Sequence, residues 1–353
     1  MNVLVTGGAG FIGSHIVDQL IEAGHRVVVI DNLGPAAHDG APDWLNPEAE
    51  WRWADVADPA TWHGVLDGLD AVSHQAAKVG LGVDLTDAPA YVTNNDLGTA
   101  VMLGAMSAAG WSGRIVLASS MVVYGEGRYR CESDGVVVPL ARRSADLEAG
   151  RWEPRCPLCG SELSTELVPE DAPLDPRNVY AATKLAQEHL CATAEAELGV
   201  VTTSLRYHNV YGPRMPRDTP YAGVASIFRS QLEAGTRPQV FEDGGQRRDF
   251  VHVADVAAAN VAGLERSEPY RGALNIASGR PITLLGMASA MAAEDGRGLE
   301  PEVVGRYRAG DVRHVTADPA LASEALGFRA RVAPEVGLAE FVHAPLRRPP
   351  AQV

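Results

Sequence analysis

The sequence predicts an α/β protein built on a doubly wound parallel sheet, with a smaller α/β lobe toward the C-terminus. Three observations carry that prediction. Short β-branched runs alternate with amphipathic stretches, the first run ends in a glycine-rich turn, "TGGAGFIG", and 353 residues, 46% of them hydrophobic, suffice to bury a large core. The alternation implies parallel strands, because a helix crossing one face returns the chain to the end of the sheet from which it started.

The first strand is "NVLVT" (2–6), and the helical pattern after the turn runs to Gly24, a residue type that closes helix C-termini. "RVVVI" (26–30), "DAVSHQ" (70–75), "RIVLAS" (114–119) and "VVTTSLR" (200–206) read as further strands. Between about residues 126 and 175 the periodicity lapses into Pro-, Gly- and Arg-rich sequence, too long for a connection and therefore an expected insertion. "RDFVHVADVAAANVAGLE" (248–265) reads as a return to the first domain. The expected organisation is a sheet domain of residues 1–208 and about 249–276, and a second lobe of about 209–248 and 277–345.

A formal charge of −15 disfavours nucleic acid as a partner, since a phosphate backbone is bound by basic faces. No apolar run reaches bilayer-spanning length and no basic region precedes the first apolar residues, so no membrane partner is expected and the cytoplasm is the expected compartment. Four cysteines are too few for a disulfide framework in a chain this long. Of 30 basic residues only Lys78 and Lys184 are lysines, which asks for a chemical reason at those two places.

In "VTGGAGFIG" a strand runs into Gly7, Gly10 and Gly13 and a helix follows. Glycines there let backbone approach a pyrophosphate resting on the positive helix N-terminus, the arrangement of a Rossmann-like dinucleotide site. Asp31, ending "RVVVID", accepts hydrogen bonds from a ribose diol and repels a 2′-phosphate, and no arginine follows in "DNLGPAAHDG" to hold one. The expected cofactor is NAD, tightly held. Asp55, after the next strand, is a candidate for the adenine edge.

"YAATK" puts Tyr180 and Lys184 four apart, on one helix face. An ammonium beside a phenol favours the phenolate, so Lys184 is expected to lower the Tyr180 pKa toward that of a general base. Ser119 and Ser120 end the strand before "MVVYG", at the sheet edge where such folds bind ligands. His74, ending an apolar strand, reads as a core histidine.

With these residues in view the chain resembles the extended short-chain dehydrogenase/reductases that act on nucleotide sugars. The marks run in order: "TGGAGFIG", "DN" at Asp31, "DV" at Asp55, "HQAA" at His74, "NNDLGT" at Asn95, "SSMVVYG", "YAATK", "LRYHNVYGP", "GGQRRDFVHVADV", "NIASG" and "RAGDVRH". The resemblance implies that Ser120 bonds the reacting hydroxyl, Tyr180 is the acid/base and Lys184 also holds the nicotinamide ribose. It adds Phe11, Ile12, Asn32, Val56, Ala76 and Asn95 to the cofactor site and sets Lys78 near the cofactor or the substrate pocket. Met121 and Val122 then face the sugar with Ser120 and Tyr180, Asn209, Arg248 and Arg308 bind the nucleotide diphosphate, and a homodimer forms through helices at 96–109 and 178–198.

Within that family a 4,6-dehydratase needs an Asp-Glu pair after the serine or threonine, because elimination demands an additional acid and base. Met121 and Val122 occupy those places. The implied reaction is NAD-dependent 4-epimerisation of a nucleotide-linked hexose or deoxyhexose, dTDP- or UDP-linked, through a transient 4-keto sugar. The stretch from Tyr211 to Val253 is similar to the substrate lobe of dTDP-L-rhamnose 4-epimerase-type enzymes, with UDP-hexose 4-epimerases as the neighbouring type. The alternatives are a nucleotide-sugar 4-ketoreductase or dehydrogenase and a non-catalytic NAD-sensing module.

One motif stands outside this scheme. Cys156 and Cys159, in "RCPLCG", have the spacing of a zinc knuckle, and Cys131 is a third thiolate within the insertion. A closed structural zinc site needs four ligands, and the insertion has no histidine. Glu132, Asp134 and water are the candidates for the fourth; reduced cysteines or a Cys156–Cys159 disulfide are the alternative.

Overall fold

Seven strands in the order β3-β2-β1-β4-β5-β9-β14, all neighbours parallel, form the central sheet of the computed structural model. The structure describes residues 1–35, 37–80, 85–217, 223–308 and 310–347; parts of the run resembling a substrate lobe (218–222) and of "RAGDVRH" (309) lie outside them. In chain order the first strands are β1 (Asn2–Thr6), β2 (Arg26–Asp31), β3 (Glu50–Trp53), β4 (Ala71–His74) and β5 (Arg114–Ser120). The insertion carries β6 (Arg128–Cys131), β7 (Gly135–Val137) and β8 (Ser164–Glu166), a separate three-stranded sheet in the order β7-β6-β8. Then come β9 (Val201–Tyr207), β10 (Asn209–Tyr211), β11 (Gln239–Val240), β12 (Arg247–Arg248), β13 (Phe250–His252) and β14 (Gly272–Ile276).

The period-2 alternation of a strand decides which core each residue enters. Val3, Val5, Val27 and Val29 face one side, with α1 (Phe11–Glu22) and later α7 (Val253–Glu265). Leu4, Val28 and Ile30 face the other, with the long helical run formed by α2 (Ala88–Tyr91), a π-helical stretch (Val92–Leu97) and α3 (Gly98–Ala109), and with α5 (Val179–Leu198). Each such fully buried aliphatic side chain stabilises the fold by ~1.5–3 kcal/mol. A third core unites Tyr211 and Phe250 with α6 (Val224–Glu233) and α8 (Leu284–Asp295), through Phe228, Leu232, Met287 and Met291.

Two edge strands lack the β-branched signature. β3 reads "EWRW": Trp51 and Trp53 stack at 5.4 Å, while Glu50 bonds Arg26 and Arg52 along the sheet edge. β14 reads "GALNI" and pairs in register with β9, from Gly272 beside Thr203 to Ile276 beside Tyr207. Among the described residues no helix is long and apolar enough to cross a membrane.

Candidate active site

The strand order reverses between β1 and β4, and the loops leaving their C-terminal ends meet there. In such sheets this crevice receives the ligand. Gly7 has φ +68°, and a Cβ on it would come within 2.7 Å of the Ala76 backbone nitrogen. On Gly13 a Cβ would meet the Gly7 carbonyl oxygen at 2.2 Å, so only glycine permits α1 to start this close to β1. Gly10 is the N-cap of α1, with Phe11 and Ile12 in the first turn, whose free amides and helix dipole suit a pyrophosphate. The cradle fits a dinucleotide and would be filled by any side chain at these glycines.

Asp31 ends β2 at the same edge. Its Oδ2 accepts from the Ala9 amide at 3.0 Å and its Oδ1 from the Leu33 amide at 2.9 Å, which aims the carboxylate along the glycine turn. Asn32 donates to Asp55 Oδ2 at 3.0 Å, and Asp55 Oδ1 accepts from Ala57 N at 2.8 Å. Val56 is buried against Gly98, where a Cβ would approach it to 3.0 Å. Arg347, from the far end of the chain, also lies within electrostatic reach of Asp31. Reading only the residues after Asp31 misses this cation.

The chemical residues meet at the ends of β5 and α5. Ser120 is extended at the end of β5, and its hydroxyl lies close enough to Tyr180 to favour the phenolate. Asn178 caps α5 by accepting from Ala181 N at 2.8 Å, so Tyr180 stands in the first turn with Lys184 one turn below. Lys184 Nζ, buried, donates to Ala118 O at 2.9 Å and Gln187 Oε1 at 3.0 Å, and lies 6.0 Å from the Tyr180 ring centroid. Burial lowers the Lys184 pKa to about 8, against the opposing pull of Asp96. A ring neighbour, Tyr91, sits 6.1 Å from Tyr180 and carries the Lys78 ammonium 5.1 Å from its centroid; Lys78 also pairs with Asp87 at 3.6 Å. Asn95 spends its amide on the chain itself, accepting from Lys78 N at 2.8 Å and donating to Thr183 Oγ1 at 2.9 Å.

Past Ser120 the chain is apolar. Met121 and Val122 open a 3₁₀ turn (Met121–Tyr124), and Asn209 donates to Met121 Sδ at 3.4 Å and Asp249 O at 3.2 Å. Arg248 is pinned through Arg313 O at 2.8 Å and Val312 O at 2.7 Å, and Arg308 stands 5.4 Å from the Phe241 ring. Both arginines act on Asp311, whose carboxyl is nevertheless raised by burial.

The family model described as "NAD dependent epimerase/dehydratase family" matches residues 3–145 and 159–277. The chain belongs to the NAD-dependent epimerase/dehydratase family. It is 36% identical over 344 residues to dTDP-L-rhamnose 4-epimerase of Burkholderia thailandensis, covering 96% of this chain and 93% of that one. Among solved structures it is similar to UDP-glucose 4-epimerase of Thermotoga maritima with UDP-glucose (TM-score 0.78, 30% identity, 97% and 98% of the two chains covered). The UDP-glucose 4-epimerase of Thermus thermophilus in complex with NAD gives TM-score 0.76 at 30% identity over the same shares.

For a member of this epimerase/dehydratase family the structure corrects one expectation. Burial raises the Tyr180 phenol to about 12 in the protein alone, whereas the helix spacing predicts that Lys184 lowers it; Ser120 pulls in the lowering direction. The ammonium is turned toward Ala118 O and Gln187, and is itself desolvated. His74 is held between Thr6 Oγ1 at 2.8 Å and Thr99 Oγ1 at 3.0 Å, and burial drops its pKa to about 3, which makes it a neutral core residue.

Sequence reasoning missed the support behind the serines. Ser119 Oγ donates to Glu188, which receives Arg206 through Nε at 3.0 Å and Nη2 at 2.8 Å. Arg206 also donates to Tyr124 Oη at 2.9 Å, and Tyr124 to Asn275 Oδ1 at 2.8 Å. The available signal was Arg206 itself, a charge inside an otherwise buried strand, which requires a paired partner.

Proposed function

We propose that this chain inverts C4 of a nucleotide-activated hexose or deoxyhexose, dTDP- or UDP-linked, through a transient 4-keto sugar. The observation that carries the proposal is the wall beside Ser120: Met121 and Val122 stand where elimination would need a proton donor and acceptor. The relatives named above, 4-epimerases of dTDP-L-rhamnose and UDP-glucose, support the same reading.

On this reading Tyr180 takes the O4 proton as C4 becomes a carbonyl and returns it when C4 is reduced from the opposite face, so the chain ends each cycle as it began. Ser120 holds O4 through its hydroxyl, and Lys184 keeps the floor of the site fixed through Ala118 O. Gly7, Gly10, Gly13 and Asp31 would hold NAD, which when bound would supply the hydride chemistry and a cationic ring favouring a neighbouring phenolate. Asn209, Arg248 and Arg308 bind the diphosphate, and residues of about 209–248 and 277–345 make up the substrate lobe.

Substrate deuterated at C4 is expected to give product that retains the label at C4 with no free NADH accumulating. Stoichiometric NADH would identify a dehydrogenase instead, and label lost to solvent would exclude internal return. Failure to turn over any dTDP- or UDP-hexose while binding NAD would indicate a sensing module. A homodimer through α3 and α5 is a further expectation: Leu97, 46% exposed, continues into exposed Ala100 and Gly104 on one helix face. Sedimentation at micromolar concentration should give a dimer that Leu97→Arg converts to monomer.

A further inference from the structure

The insertion contains two chain reversals with the same spacing pattern. One is Cys131-Glu132-Ser133-Asp134-Gly135 and the other Cys156-Pro157-Leu158-Cys159-Gly160. In each, a thiol is followed three residues later by a second metal-binding side chain and then by glycine. Gly135 has φ +74° and Gly160 φ +77°, with open space where a Cβ would lie, so backbone conformation rather than crowding selects glycine. Each reversal closes a hairpin. Cys131 stands opposite Gly135 in the β6–β7 register. In the second hairpin the Cys156 amide donates to Ser161 O at 2.7 Å, the Gly160 amide to Cys156 O at 2.9 Å, and Arg155 bridges Glu162. Turns of this kind present their first and fourth side chains to one point.

The two reversals face each other. Asp134 Oδ2 lies 3.2 Å from Cys131 Sγ and 3.1 Å from Cys156 Sγ, and Cys131 Sγ lies 3.4 Å from Cys159 Sγ. All four ligand atoms fall within 4.8 Å of one another. Tetrahedral zinc with bonds of about 2.3 Å to sulfur and about 2.0 Å to oxygen needs edges of roughly 3.5–3.8 Å, so the short contacts would open by a few tenths of an ångström and separations nearer 4.8 Å would close. Ser161 Oγ, 3.3 Å from Cys131 Sγ and 3.1 Å from Cys159 Sγ, supplies a hydroxyl to the thiolates.

We propose that Cys131, Asp134, Cys156 and Cys159 form a closed structural zinc site, and that zinc holds the insertion in place against the segment carrying Arg313 and His314. Of the three candidates for the fourth ligand, the geometry selects Asp134. A second observation says why a metal is needed. The insertion's own buried apolar cluster is Tyr129, Cys131, Cys156 and Leu163, two of them ligands, which is too small a core to order two hairpins unaided. What the hairpins hold is specific. Tyr129 Oη accepts from His314 N at 3.1 Å, and Glu153, three residues before Cys156, receives Arg313 at 2.7 Å and His314 Nε2 at 2.8 Å. Arg248 in turn rests on Arg313 O. The metal therefore acts as a positioning element for the substrate-side arginine and takes no part in proton or hydride transfer.

The test begins with metal analysis of the full chain purified under reductant. About one zinc per chain is expected, with none of Cys131, Cys156 and Cys159 reacting with a thiol reagent until zinc is released. Asp134→Ala should lose zinc to a chelator faster than the parent, and Asp134→Cys, completing four thiolates, should retain it longer. Zinc-depleted protein should keep its NAD content and kcat but show KM for nucleotide sugar raised about tenfold, reversed by adding zinc. The metal measurements do not depend on the epimerase reading; only the KM readout does. Zinc below about a tenth of an equivalent, iron in its place, or a Cys131–Cys159 disulfide in the reduced preparation would overturn the site. Equal zinc retention by parent, Asp134→Ala and Asp134→Cys would remove Asp134 from it. Bound zinc with an unchanged KM on removal would overturn the positioning role.

Discussion

Tyr180→Phe is expected to lower epimerase turnover by about 10²–10⁴, the usual contribution of a positioned acid/base, while the protein keeps its NAD. The substitution deletes one oxygen and leaves the ring, so the packing of Tyr180 against Tyr91 survives. Lys184 is unaffected too, since its hydrogen bonds run to Ala118 and Gln187 and not to the phenol. What disappears is the phenolic hydroxyl beside Ser120, the group proposed to carry the O4 proton. NAD content measured on the denatured variant should match the parent, with kcat carrying the whole effect. Near-normal turnover would remove Tyr180 from the chemistry.

Glu188→Ala is expected to destabilise the fold by about 3–5 kcal/mol, read as a lower denaturant midpoint, because it strands a buried guanidinium. The side chains of Arg206 and Glu188 are 5% and 10% exposed. Burial opposes the charge on Arg206, and its hydrogen bonds to Glu188, with the charge of Glu188 and the contact with Tyr124, together more than offset it. Loss of the carboxylate also frees Ser119 next to Ser120, so activity should fall in protein that remains folded. Glu188→Gln, which keeps an acceptor oxygen, should cost less than the alanine variant. Equal midpoints for parent and Glu188→Ala would show that the network adds no net stability.

The parts of this molecule legible in the sequence are those made by local pattern. β1, β2, β4, β5 and β9 announce themselves as β-branched runs because both faces of a parallel strand are buried. β3 and β14 do not, since "EWRW" lies on an exposed edge and "GALNI" gains its place by pairing with β9, about seventy residues away. The same division runs through the site. Tyr180 and Lys184 are one helical turn apart and Ser120 ends a visible strand, so spacing alone brings them forward. Glu188, Arg206, Tyr124 and Asn275 contribute through contacts 18 to 151 residues apart in the chain. Arg347 reaches the Asp31 end of the site from more than three hundred positions away. The expected effect of Lys184 on Tyr180 was wrong for a related reason: helix spacing says which residues share a face, not how much water each has lost.

The ion network that ties the insertion to the segment after Asp311 has a consequence for how the chain is made. Glu153 and Arg313 are 160 residues apart, and Arg142 and Glu242, joined at 2.8 Å, are 100 apart. At a synthesis rate of roughly 5–20 residues per second, Glu153 emerges ~10–30 s before its partner exists. During that interval the N-terminal strands can assemble around short crossovers, whereas Glu153 and Arg142 wait for the partners that tie the insertion down, and its own apolar core is four residues. The half of the cleft that carries Arg248 is thus completed last, and a ribosome-bound chain stopped short of Arg313 should present its hairpins to chaperones and proteases.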